Sequence, residues 1–132
     1  MKRQLVLLIF ILFSSSLFLA GCNKEASNGP TALDENLNMV KQLITGMLEN
    51  DVEVVNALYK NEANYSSEEL IEKVSNWGLE NKTIDDLTFK TASAYVYHVY
   101  IDKSSYISVR VKENPPSGYT IDFVELITKE KQ

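Results

Sequence analysis

Apolar positions along this chain change period twice, and each change marks a new kind of segment. Leu5 to Phe13 is an unbroken apolar run, continued after Ser14-Ser15-Ser16 by Leu17, Phe18 and Leu19. A polar stretch follows, Asn23 to Ala32 (NKEASNGPTA), with no periodicity and a Gly29-Pro30 break. From Leu33 the spacing becomes three and four. Leu37, Val40, Ile44, Met47 and Leu48 complete one helical stripe. Asp34 and Glu35 suit its first turn, where the helix dipole favours negative charge. Glu49-Asn50-Asp51 breaks it, and Asp51 is a suitable N-cap for a short helix carrying Val54, Val55, Leu58 and Tyr59. A third helix is predicted from Ser66, because Glu69 three residues later completes a capping box. Leu70, Ile71, Val74 and Trp77 are expected to face inward, and Gly78 to stop the helix.

From Thr83 the period is two. Strands are predicted at Leu87 to Thr91, Ala94 to Ile101, Tyr106 to Lys112 and Tyr119 to Thr128. Asp102 to Ser105 is the expected hairpin turn. Pro115-Pro116 forbids a ladder in the loop from Glu113 to Gly118. The order α-α-α-β-β-β-β predicts an α+β fold, with the helices packed on one face of a curved antiparallel sheet of about four strands.

The helix, capped break and second helix from Met47 to Tyr59 (MLENDVEVVNALY) resemble the entry of NTF2-like domains. The whole order, over residues 34–128, is similar to the NTF2-like and cystatin-like α+β folds of small bacterial lipoproteins. That resemblance implies a curved sheet beside a helical layer. It does not imply an activity, since the same architecture serves enzymes, ligand binders and interaction modules.

Lys2 and Arg3, the apolar run and the small residues after it read as a secretory signal. Leu19-Ala20-Gly21-Cys22 resembles the lipobox of bacterial lipoproteins. The resemblance implies cleavage before Cys22 and a diacylglyceryl thioether on its sulfur, often with an acylated amino terminus. The apolar run is short of the roughly 20 residues that span a bilayer. Residues 1–21 are thus expected to be a signal peptide, 22–32 a lipidated cysteine with a flexible tether, and 33–132 a single domain. As a coil the tether spans about 17 Å.

Loss of 21 of the 132 residues leaves 111, enough for one domain with its own core. Cys22 is the sole cysteine, so a lipidated chain retains no thiol for disulfides, thiolate metal sites or nucleophilic catalysis. With Lys2 and Arg3 gone, 11 basic residues face 18 acidic ones, a net charge of −7. That balance argues against nucleic acid and against a polybasic grip on anionic lipid.

His98 is the sole histidine, and the sole side chain that titrates near neutrality unaided. On a strand, Asp102 four residues on is ~13 Å away by rise alone, too far to orient it. A carboxylate partner must come from another strand, with Asp122 and Glu125 as candidates. Tyr95, Tyr97, Tyr100, Tyr106 and Tyr119 offer rings suited to a ligand cavity or protein contact, or to filling a core. Glu68, Glu69, Glu72, Asp85 and Asp86 lack EF-hand spacing and read as a solvated face. No nucleophile elbow, phosphate-binding loop, dinucleotide fingerprint or His-Glu-x-x-His occurs.

These features predict a cell-envelope lipoprotein, held at the extracytoplasmic face of the membrane by its lipid and acting by binding rather than catalysis. Its partner is expected to be an envelope protein or a small ligand. Tyr95, Tyr97, His98 and Tyr100 are the candidate contact residues, and no metal or cofactor is expected. Two other classes stay open: a small enzyme using His98 as acid or base in a cavity, and an accessory structural subunit of an envelope complex. A deep pocket lined by His98 favours the enzyme; a flat tyrosine-rich patch favours the binding module.

Overall fold

A computed structural model of the chain describes residues 31–60, 64–116 and 118–129. Cys22 and the segment preceding Thr31 lie outside these residues. Helix α1 is Ala32–Leu48, α2 is Val52–Leu58 and α3 is Ser67–Asn76. A short 3-10 turn, Ile84–Asp86, leads into strands β1 Thr88–Ser93, β2 Val96–Tyr100, β3 Ser105–Glu113 and β4 Tyr119–Thr128. The sheet is an antiparallel meander in the order β1-β2-β3-β4. No described helix is long and apolar enough to cross a membrane.

Each helix starts where a short polar side chain can satisfy orphan backbone N–H groups. Thr31 and Ala32, at the end of the expected tether, open α1: the Asp34 N–H donates to Thr31 Oγ1 and the Asp34 carboxylate accepts from the Thr31 N–H. Asp51 caps α2 by accepting from Val54 N at 3.1 Å. Ser66 and Glu69 form the expected capping box on α3, with N–H to carboxylate at 2.6 Å and N–H to hydroxyl at 3.1 Å.

Helices α1 and α3 end alike. Asn50 and Gly78 adopt left-handed φ values of 59° and 73°. The N–H groups of Asp51 and Leu79 then reach back to the carbonyls of Gly46 and Val74 at 2.8 and 2.9 Å. This double-bonded end closes the last turn and aims the next residue back along the helix. Leu79 is thereby driven into the core, with no exposed surface.

The core lies between the helices and one face of the sheet. Val40, Leu43, Ile44 and Met47 from α1, Val55 from α2 and Leu70 from α3 meet Tyr97, Val99, Ile107, Val109, Val111, Ile121 and Val124 from the strands. The close approach of α1 and α2 depends on Gly46: a Cβ there would lie 2.8 Å from Val54 Cγ1. The chain after α2 guards the outer edge of β4. Tyr59 forms a parallel bridge with Ile121, Lys60 N donates to Ile121 O, and Asn64 Nδ2 donates to Val124 O. Trp77, expected to be buried on the sheet, is instead half-buried at the end of α3, edge-on to Tyr65 at 6.2 Å. Trp77 is the C-cap residue of α3 and still packs against the core, as Ile71 and Val74 do.

Candidate functional site

The strand register sorts the sheet into two faces, since side chains directly opposite each other across strands point the same way. One face carries the core. The other carries three cross-strand rows. Thr88, Tyr100, Tyr106 and Ile127 make the first; Lys90, His98, Ser108 and Glu125 the second; Val96, Arg110 and Phe123 the third. Among the described residues no helix packs on this face. Its aromatic and aliphatic side chains are accordingly half-buried, shielded by each other and by neighbouring polar stems.

Three rings form its centre. His98 lies 4.3 Å from Tyr106 and 6.2 Å from Tyr100, while Tyr100 and Tyr106 are 5.3 Å apart, centroid to centroid. These separations fall in the range where offset or edge contacts between rings are favourable. Lys90 Nζ sits 5.1 Å above the Tyr100 ring, and the Arg110 guanidinium 5.4 Å from Phe123. Arg110 is also clamped by Asp122, Nε to Oδ1 at 2.8 Å and a second nitrogen to Oδ2 at 3.0 Å. A bulge in the β3–β4 ladder at Arg110 and Val111 brings Asp122 within reach of this arginine.

The four candidate contact residues do not form one site. His98 and Tyr100 stand on the open face. Tyr97 is on the opposite face, fully buried under α1, with its hydroxyl donating to Leu33 O at 3.4 Å. Burial raises its phenol pKa above the usual value. It is a core residue, and its selection as a contact residue is corrected accordingly. Tyr95 occupies the β1–β2 turn, 44% exposed, 6.5 Å from Tyr119. The period-two pattern already placed Tyr95 and Tyr97 against His98 and Tyr100; what the sequence left open was which parity faced the helices. Tyr106, Phe123 and Ile127 complete the open face, and they were recoverable only from the cross-strand register.

His98 stands on the sheet face opposite the helices and the core. Burial and the nearby Lys129 ammonium hold its imidazole below the ordinary pKa. Among the described residues no carboxylate accepts a hydrogen bond from its ring. Asp122, one of the two candidate partners, is engaged by Arg110. Glu125 shares a row with His98 but stands two strands away, across Ser108. Asp102 serves the hairpin: its Oδ1 accepts from the backbone N–H groups of Ser104 and Ser105 at 2.7 and 2.8 Å, which holds the carboxyl at about 2.

The acidic residues have local work too. Glu69 caps α3, and Asp86 accepts from Thr83 N and Oγ1 at 2.7 and 2.9 Å. No group of three His, Cys, Asp or Glu side chains among the described residues is arranged to hold a metal ion. Shallow clefts flank the open face. One of about 470 Å³ runs along Thr88, Lys90, Tyr100 and Asp102, and one of about 430 Å³ along Tyr95, Arg110, Glu113 and Asp122. Neither is lined by His98.

No protein-family model matches the chain, and no curated protein and no solved structure gives a match.

Proposed function

We propose that this chain is a cell-envelope lipoprotein, tethered through Cys22 to the extracytoplasmic face of the membrane, that works as a non-catalytic interaction module. Its working surface is the uncovered sheet face centred on His98, Tyr100 and Tyr106. The observation that carries this reading is that aromatic cluster, lying opposite the helices with aliphatic neighbours and a charged rim. Tyrosines provide large contact area at low entropic cost, and a polar rim around an aromatic centre is the usual anatomy of a binding patch. Anchoring rests on the lipobox-like sequence, and two acyl chains would hold it durably, at ~0.8 kcal/mol per buried methylene. The order of helices before an antiparallel meander supports the finer NTF2-like or cystatin-like assignment.

The test has two parts in cells expressing the full chain. Mass spectrometry of the membrane fraction should find a mature chain starting at lipid-modified Cys22, and Cys22→Ala should abolish the modification. A photo-crosslinking residue at position 108, central to the open face, should give a discrete adduct, whereas one at exposed Glu72 on α3 should give none. An intact, unlipidated wild-type chain would sink the anchoring claim. A silent open face would sink the binding claim.

A further inference from the structure

The middle row of the open face has a charge order that no contact among the described residues explains. It runs Lys90, His98, Ser108, Glu125 from β1 to β4, positive at one edge and negative at the other. Lys90 and Glu125 are both exposed, and neither has an ion-pair partner among the described residues. Lys90 rests over the Tyr100 ring instead. Arg110 and Asp122, by contrast, already neutralise each other.

We infer that the open face is built to receive the same face of a second copy of this chain, the two related by a two-fold axis running along the mean strand direction. This inference rests on the binding role proposed for that face. The geometry decides the axis. Face-to-face packing about an axis along the strands lays β1 of one copy over β4 of the other and keeps every row over itself. Lys90 of each copy then faces Glu125 of its partner, giving two ion pairs by symmetry. The row Thr88, Tyr100, Tyr106, Ile127 lies over its own reverse, so tyrosines meet tyrosines and Ile127 covers Thr88. An axis across the strands does the opposite: it stacks β1 on β1 and β4 on β4, setting Lys90 near Lys90 and Glu125 near Glu125.

Size matters as well. Four strands ~4.8 Å apart and some 25 Å long offer roughly 500 Å² per copy. Stable interfaces bury about 800 Å² per partner. Pairing is therefore weak in free solution and depends on the local concentration that a shared membrane supplies.

The experiment uses the full chain in the cell envelope, with the photo-crosslinker at position 108. The expected adduct has the mass of two copies. Lys90→Glu alone and Glu125→Lys alone each set like charges opposite one another and should cut its yield about tenfold or more. The double variant Lys90→Glu/Glu125→Lys restores opposite charges and should recover it. Tyr106→Ala should reduce the yield without disturbing the charges. Circular dichroism and melting of each variant show that the fold persists. Rescue by the double charge swap is the outcome a merely structural role for either residue would not give. An adduct only with a different protein overturns self-pairing while leaving the open face a binding surface. Absence of any adduct from position 108 overturns both. A two-copy adduct indifferent to both charge swaps overturns the proposed axis and with it this inference.

Discussion

At the scale of single residues, neighbours one position apart do opposite jobs. Tyr97 and His98 are neighbours in sequence, yet one is sealed under α1 and the other stands on the open face. Gly46 shows how far a residue's meaning depends on what packs against it. By propensity a helical glycine is a defect, and Gly46→Ala should gain about 1 kcal/mol. The added methyl, however, would press on Val54, whose β-branched side chain has little room to turn. Overpacking of that kind costs about 1–3 kcal/mol. Gly46→Ala is expected to be destabilising by up to about 2 kcal/mol in urea denaturation; a stabilised variant would mean that α2 shifts freely. His98 gives a pH prediction. Its folded pKa is depressed, so the fold favours neutral imidazole. Below about pH 6.5 the unfolded chain takes up the proton more readily. Stability should fall as the pH drops through that value, until the folded imidazole titrates as well. His98→Gln should lose less stability than wild type between pH 7.5 and 5.5. Equal losses would show that His98 is not linked to folding.

Helices and strands were largely legible because their signals are local. The Ser66 capping box, the Asp51 cap, the left-turning Gly78 and the switch from period three-four to period two all lie within a few residues of what they cause. The Tyr119–Thr128 strand emerges with the bounds its alternation predicts. What the pattern missed was set by tertiary contact. The inward stripe of α3 reaches Trp77, which packs half-buried against the core, but the fully buried residue at this helix end is Leu79, one position past the glycine. A lone leucine after a glycine carries no periodicity; the signal was the helix ending itself, which favours a hydrophobic residue just beyond the glycine packing back on the last turn. The relative weight of the two residues is testable. Leu79→Ala removes a fully buried side chain and should cost about 2–5 kcal/mol. Trp77→Ala, half-exposed, should cost less than the 3–5 kcal/mol of a buried tryptophan, about 2 kcal/mol. Parallel denaturation curves decide it, and a Trp77→Ala variant weaker than Leu79→Ala would restore tryptophan as the main anchor of α3.

For the whole molecule, the layering explains why the make-up of the open face is not legible in single strands. Which strand parity faces the helices is a property of the assembled sheet, and so is the company each side chain keeps. Tyr106 and Ile127 join Tyr100 only through pairing across β2, β3 and β4. The start of α1, in contrast, is written locally. Thr31 and Asp34 exchange hydrogen bonds, and the exposed Asp34 carboxyl is drawn below its ordinary pKa by them. A helix that carries its own cap does not need the preceding chain for its first N–H groups. Deleting residues 24–30, which keeps both Cys22 and Thr31, should therefore leave the melting temperature within a degree or two of wild type. For a domain this size about 1 kcal/mol moves the midpoint by roughly 4–8 °C, so a stabilising contact from those residues would be visible. If Cys22 carries the proposed lipid, the deletion should also preserve that modification, since the lipobox-like residues are untouched. Under the proposed anchoring it would shorten the span of the coil from about 17 Å to roughly 10 Å. A fall of several degrees in the midpoint would place part of residues 24–30 against the domain and make them part of its fold rather than its leash.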